Sequence, residues 1–461
     1  MKTTARILLV FSAALGPLSA QKLVVEGHGI EDLGQVLQVA DIDGDGKAEI
    51  LAGAPRHQRG ERHQQGRLFI LKGGDGEDLD DRSVSWFGEM AGSRFGSSFA
   101  IGDVNGDGLP DILVGAPGTN ESRGSCHLIL GGKRGGAVLG GGVAGSNTLN
   151  LYGETRLFGF GRAVTLGDLN GDKLDDIIVA ESYANVGTTR SAGRVWVFRG
   201  RKRFKKSKAK AGEKGMEADL IIVGREAESL GTQLLCEDLD GDGIDDLVLG
   251  SPDHRDGTGT VTVVRGRRDR FKKKATTIRL GRDDVDLVIR GNRGGRLGHA
   301  LTGMDLDDDG TKDLLLSEPR RGHQRNREVG AVHAVAWKDT QKKLDLGRMH
   351  EKLKTVATLR GLIAFEQQGA ALAAGRFGGG KTEDLLVGSP AIGRVVLFLD
   401  PPAFDPPPRP SRAFMPGGSG TKGFGAAVGA GDVDGDGKTE VVIAAPGASK
   451  IFIYALKKDA K

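Results

Sequence analysis

The chain has 461 residues, with 75 glycines, 15 prolines and 2 cysteines, and 38% of its positions are hydrophobic and 27% charged. Apart from glycine this is ordinary globular composition, which excludes a disordered polymer, and the absence of a Gly-X-Y period excludes collagen. Cys126 and Cys236 cannot form a disulfide framework for this length, and 65 basic against 61 acidic side chains, a formal charge of +4, do not mark a nucleic-acid binder.

In chain order, a basic start (Met1 to Arg6) precedes an apolar stretch (Ile7 to Leu15) and then Gly16-Pro17-Leu18-Ser19-Ala20 before Gln21. This layout predicts a secretory signal peptide over 1–20 and a mature chain over 21–461. No later segment approaches the roughly 20 apolar residues that span a bilayer. The expectation is a soluble protein that is secreted, periplasmic or associated with the cell surface.

The mature chain opens with a short strand, Lys22 to Gly27, and then repeats one unit seven times. An acidic nonapeptide marks six copies: DIDGDGKAE from Asp41, DVNGDGLPD from Asp103, DLNGDKLDD from Asp168, DLDGDGIDD from Asp238, DLDDDGTKD from Asp305 and DVDGDGKTE from Asp432. A degenerate copy, RFGGGKTED, begins at Arg376, and successive starts lie 62, 65, 70, 67, 71 and 56 residues apart. That spacing suits four short strands with their turns. A glycine stands seven residues before each start (Gly34, Gly96, Gly161, Gly231, Gly298, Gly369, Gly425), preceded by Phe or Leu in six of the seven. After each acidic loop comes an apolar run and a turn, such as ILAGAP from Ile50 or LVLGSP from Leu247, which reads as a strand buried on both faces. An alternating strand follows (GRLFIL from Gly66, GRVWVF from Gly193), then a fourth ending in glycine (DLIIVG from Asp219). The chain stops after a third-strand segment, Ile451 to Leu456, so the opening strand completes the last unit. The predicted fold is all-β: a seven-bladed β-propeller of four-stranded antiparallel blades, its ring closed by the N-terminal strand.

Phe-Gly, an acidic loop and Gly-Ala-Pro in this order resemble the FG-GAP repeat that builds the β-propeller of integrin alpha subunits. The resemblance covers 21–461. It implies an adhesion or binding role whose ligand face lies opposite the acidic loops.

Oxygen-rich loops suit a hard cation, and Ca²⁺ takes six to eight oxygen ligands. In the first loop Asp41, Asp43 and Asp45 converge because alternate residues turn inward, Lys47 offers its carbonyl and Glu49 closes the sphere. The resemblance carries these roles onto Asp103, Asn105, Asp107, Leu109 and Asp111; onto Asp168, Asn170, Asp172, Leu174 and Asp176; and onto Asp238, Asp240, Asp242, Ile244 and Asp246. It extends them to Asp305, Asp307, Asp309, Thr311 and Asp313, and to Asp432, Asp434, Asp436, Lys438 and Glu440. Lys173 replaces the usual glycine of the third loop, and the Arg376 loop, keeping only Asp384, should hold no ion. The expected cofactor is calcium, about six ions per chain, in a structural role. An EF-hand is excluded, because its position 12 must be Glu and here it is Ala52, Val114, Val179, Leu249, Leu316 or Ile443. Gly375 to Thr382 matches the phosphate-loop pattern, but a repeat strand follows where that motif needs a helix.

Alternation of strands puts the metal loops and the third-to-fourth segments on one face. Two of those segments, Arg199 to Lys214 and Arg265 to Lys274, are strongly basic and predict a positive rim: solvated hairpin tips, or an anchor on anionic polymers. On the other face, Arg56 to Gln65 and Arg320 to Glu328 are polar loops able to meet acidic or carbohydrate ligands. Pro401 to Pro410 reads as a stiff linker, and Asn120-Glu121-Ser122 is a glycosylation sequon. No linear catalytic motif is present. The reading is therefore an exported, calcium-binding, non-catalytic module for proteins or anionic polysaccharides, with no nucleic-acid partner. The alternative is an extracellular polysaccharide or phosphodiester hydrolase or lyase with a loop-built site.

Overall fold

An apolar run with no alternation must be covered on both sides, and each repeat places its run second in an antiparallel sheet of four strands. In the computed structural model the first blade pairs Leu37–Ala40, Glu49–Ala54, Arg67–Leu71 and Ser83–Phe87 in that order. Six more sheets repeat the order, and in six of the seven blades every residue of the second strand is buried. The structure describes residues 19–27, 31–73, 83–132, 138–144, 149–156, 159–204, 208–211, 216–269, 276–283, 285–322, 328–336, 343–346, 356–360, 366–377, 382–401, 410–416 and 421–456. The Ile7 to Leu15 stretch and most of the Pro401 to Pro410 segment lie outside them.

The ring closes through the N-terminal strand. Ser19–Glu26 pairs antiparallel with Lys450–Leu456, with Gln21 opposite Tyr454 and Glu26 opposite Lys450. Gln21 to Glu26 lie beyond the expected cut after Ala20, so this pairing survives processing there. The cores confirm closure. Among the described residues seven hydrophobic clusters occur, each between neighbouring blades: Phe160 and Val164 of blade three pack with Leu113 and Leu151 of blade two, and Ile451 and Ile453 of blade seven pack with Ile50 and Phe69 of blade one.

Among the described residues four blades carry a fifth, parallel strand that the sequence pattern did not reveal. Each comes from the third-to-fourth segment of the next blade: Gly142–Val143 joins blade one, Lys208–Lys210 blade two, Thr276–Arg279 blade three and Lys343–Asp345 blade four. Long segments that read as free loops thus lie along a neighbour's outer edge and cover the unpaired amides there.

Blades approach most closely at their glycines. Gly96 has φ +83°, and its N–H donates to the Gly115 carbonyl at 3.0 Å. A Cβ on Gly96 would lie 2.5 Å from the Arg67 carbonyl oxygen, and one on Gly53 only 2.1 Å from the Gly96 oxygen. The glycine of the Phe-Gly pair therefore lies against the glycine of the preceding blade's Gly-Ala-Pro. Phe95, fully buried beside it, plugs the seam.

Gly96→Ala adds overpacking of about 1–3 kcal/mol to a left-handed backbone cost of about 1–2 kcal/mol, for a total loss of about 2–5 kcal/mol. Gly92, at φ +74° with open space where its Cβ would stand, isolates the backbone effect, so Gly92→Ala should cost about 1 kcal/mol. Denaturant midpoints of the two variants check the difference; equal losses would contradict the close-contact explanation.

Candidate metal-binding loops

The first aspartate of each acidic loop folds the loop around itself. Asp103 accepts the amides of Gly106, Asp107 and Gly108 at 2.7, 3.2 and 2.7 Å, and Asp238 those of Gly241, Asp242 and Gly243 at 2.8, 3.2 and 2.8 Å. Asp168 and Asp432 do the same in their loops, whereas Asp41 accepts the amides of Gly44 and Gly46 and Asp305 those of Asp309 and Gly310. The fifth-position aspartate then accepts the amide of the seventh residue, as Asp45 does from Lys47 at 2.8 Å and Asp172 from Leu174 at 3.0 Å. These amides set the loop's shape without a metal. In the third loop Lys173 takes the left-handed conformation at φ +68°, and its ammonium donates to the Gly243 carbonyl of the next blade at 3.0 Å.

This folding gathers oxygen atoms. Carboxylates of Asp41, Asp43 and Asp45 come within 4.8 Å of one another, as do those of Asp238, Asp240 and Asp242, those of Asp305, Asp307 and Asp309, and those of Asp432, Asp434 and Glu440. In the second and third loops Asn105 and Asn170 occupy the third position and turn their amide groups toward Asp111 and Asp176. An all-oxygen donor set fits a hard divalent cation such as Ca²⁺. Nearby cationic side chains already answer part of the negative charge: Arg265 pairs with Asp240 at 2.8 Å and Lys438 with Asp436 at 2.6 Å.

The ninth-position acid has a second role that the sequence reading did not separate from coordination. Glu49 accepts the amides of Ile42 at 2.9 Å and Gly73 at 3.1 Å, and Asp111 those of Val104 at 3.1 Å and Gly131 at 2.7 Å. It thereby staples the acidic loop to the end of the third strand. Asp384 keeps this role in the degenerate sixth loop, accepting from Phe377 at 2.6 Å and Asp400 at 2.8 Å. Residues 378–381 of the phosphate-loop-like segment lie outside the described residues. Burial, opposed by these amides and reinforced by neighbouring carboxylates, pushes Glu49, Asp111 and Asp246 up to about 7, Asp176 to about 8 and Asp313 to about 6. Carboxylates that resist ionising beside other carboxylates are a site short of positive charge.

Eighth-position acids, which the sequence reading passed over, tie the loops into a chain. Asp175 accepts the Asp103 amide of the preceding blade at 2.7 Å, Asp245 the Asp168 amide at 2.8 Å and Glu383 the Asp305 amide at 3.0 Å. Doubled acids at the loop ends (Asp175-Asp176, Asp245-Asp246, Glu383-Asp384) were the available signal.

The basic segments on this face are less free than their composition suggests. Arg199 and Arg201 pair with Asp219 at 2.8 and 3.9 Å, and Arg267 with Asp286 at 2.5 Å. On the opposite face Arg56 to Gln65 spends its polar groups locally: His57 on Glu31, Arg56 on Asp32 at 3.0 Å, and Gln65 on the Gly88 carbonyl at 2.5 Å. Both cysteines are free thiols, Cys126 buried in a third strand.

The FG-GAP repeat model matches residues 95–139, 160–198, 231–264 and 424–455, and an FG-GAP-like repeat model matches 41–114. FG-GAP repeats therefore build these parts of the chain. Its repeats are similar to phosphatidylinositol-glycan-specific phospholipase D of Mus musculus, 26% identical over 443 residues, covering 90% of this chain and 43% of the relative. They are also similar to integrin alpha-3 of Mus musculus, 35% identical over 166 residues, covering 35% of this chain and 14% of the relative. The solved Dos1 propeller aligns over 98% of this chain and 88% of its own, with a TM-score of 0.46 and 11% identity. The chain spans less than half the length of the curated relatives it matches. The match to phospholipase D corrects the non-catalytic reading: a relative aligned along nine-tenths of the FG-GAP repeat chain is an enzyme, which no linear motif disclosed. No helix among the described residues is long and apolar enough to cross a membrane.

The raised carboxylates set a pH dependence. Their folded-state values exceed those of the unfolded chain, so the stability they contribute to the metal-free fold is fully present below the ordinary carboxylate values of 3.8 to 4.5 and is lost progressively as pH rises from there to the folded values of about 6 to 8. Thermal melts in EGTA should show Tm falling across that window, and calcium, which competes with these protons, should restore it most at the alkaline end. A metal-free Tm that stays flat from about pH 5 to 8 would contradict this charge balance.

Proposed function

We propose that the chain is an exported, calcium-loaded propeller whose loops recognise a phosphate-bearing glycan outside the cytoplasm, the class named in the phospholipase D relative. The alignment with that enzyme along 90% of the chain carries the reading. The integrin alpha-3 match covers 35% of the chain and gives less support to protein adhesion. Calcium would stiffen the acidic loops, neutralising carboxylates that the fold desolvates, and the basic, apolar and small leader over 1–20 supports export. Partners of this kind are anionic, in keeping with an anionic polysaccharide or a glycan-linked protein rather than nucleic acid.

The test uses phosphatidylcholine vesicles carrying a phosphatidylinositol-glycan-anchored protein, sedimented with the purified chain in calcium or in EGTA. Retention in calcium and its loss in EGTA are expected, and anchored protein appearing in the supernatant would report cleavage in the same tube. A chain that stays in solution with calcium present would contradict the reading.

A further inference from the structure

On the face opposite the metal loops, three segments of blades four and five meet. The turn His254–Gly257 lies against residues 294–296, where Arg296 N–H donates to the Gly257 carbonyl at 2.8 Å, and Arg320 N–H donates to the Gly295 carbonyl at 3.1 Å. These segments and the strand end beside them carry six arginines (Arg255, Arg290, Arg293, Arg296, Arg320, Arg321) and no lysine, against three carboxylates. Two of those carboxylates are already used: Asp253 pairs with Arg296 at 2.8 Å, and buried Glu318 takes Arg321 at 3.3 Å and His333 at 3.2 Å. The third, Asp256, is exposed. Arg255, Arg293 and Arg320 are exposed and form no ion pair among the described residues.

Three polar atoms of this patch are buried without a hydrogen-bond partner, His254 Nδ1, Arg296 Nε and His299 Nδ1. The backbone is held in left-handed conformations at Arg255, Asp256 and Arg296, with φ of 50°, 58° and 63°, each of which costs a non-glycine residue energy. Burial first, and then the surrounding arginines, hold both imidazoles neutral: His254 is pushed down to about 4, beside Arg255, Arg225 and Arg290, and His299 is lowered beside Arg296 and Arg320. Guanidinium forks match the oxygen geometry of phosphate better than ammonium groups do, and an all-arginine set selects for it.

We propose that Arg255, Arg293, Arg296 and Arg320 form an oxyanion site for a phosphate ester carried on a sugar or inositol, the part of the ligand that this face would hold. The assignment rests on the reading above for the ligand's class; the site itself rests on the arginine cluster.

Two probes separate the claims: soluble myo-inositol 1-phosphate by calorimetry, and the glycan-anchor vesicles by sedimentation. The triple variant Arg255→Gln/Arg293→Gln/Arg320→Gln changes exposed side chains only, and Lys202→Gln/Arg203→Gln/Arg268→Gln removes the same charge from the metal-loop face. The site predicts that the chain binds the soluble phosphate, that the first triple weakens it at least about tenfold and that the second leaves it nearly unchanged. Equal losses in both triples, or no binding of the soluble probe, would overturn the site. Vesicle retention that persists unchanged in the first triple would also overturn it while leaving the broader reading intact. Phosphate binding without vesicle retention would sink that reading and keep the site.

Discussion

Two backbones can touch only where neither carries a side chain, and the seam between blades is built on that fact. Gly53 and Gly96 meet there, the first from the Gly-Ala-Pro turn of one blade and the second from the Phe-Gly pair of the next. Gly115 with Gly161 and Gly388 with Gly425 repeat the contact. Elsewhere a small residue suffices, as where Gly34 lies against Ala444. The two halves of the repeat motif are thus the two sides of one contact, separated in sequence because they belong to neighbouring blades.

Once the seam fixes the blade spacing, the acidic loops come within hydrogen-bonding distance around the axis. Amide and carbonyl of Asp103 then meet Asp175, and those of Asp168 meet Asp245. A cation in one loop would therefore act on its neighbour through a shared carboxylate–amide bond. One face concentrates carboxylates that need positive charge, while blades four and five of the other present arginines with spare donors.

Blade number, strand order and closure were legible in the sequence because they follow from spacing, apolar runs and the strand type at each terminus. Three loops, from Asp41, Asp238 and Asp305, gather the alternating carboxylates that the tight turn predicts, and the Asp432 loop gathers Asp432 and Asp434 with Glu440. The fifth strands were not legible: Lys208-Ala209-Lys210 and Thr276-Thr277-Ile278-Arg279 lack an apolar alternation, and their pairing is with a different blade. The arginine patch escaped for the same reason, its members lying on segments some 24 to 65 residues apart in sequence that only the ring brings together. In the basic segments the pairing of Arg199 and Arg201 with Asp219 and of Arg267 with Asp286 was not legible, because these acids stand about 20 residues downstream of the first arginines; residues 205–207, 212–214 and 270–274 lie outside the described residues.

The central claim is that ring geometry turns six acidic loops into six cation sites and leaves the Arg376 loop without one. Native mass spectrometry of the chain, dialysed against calcium and then stripped with EGTA, counts them directly. The account predicts six bound ions before stripping and none after; a chain carrying no calcium, or a seventh ion, would contradict it.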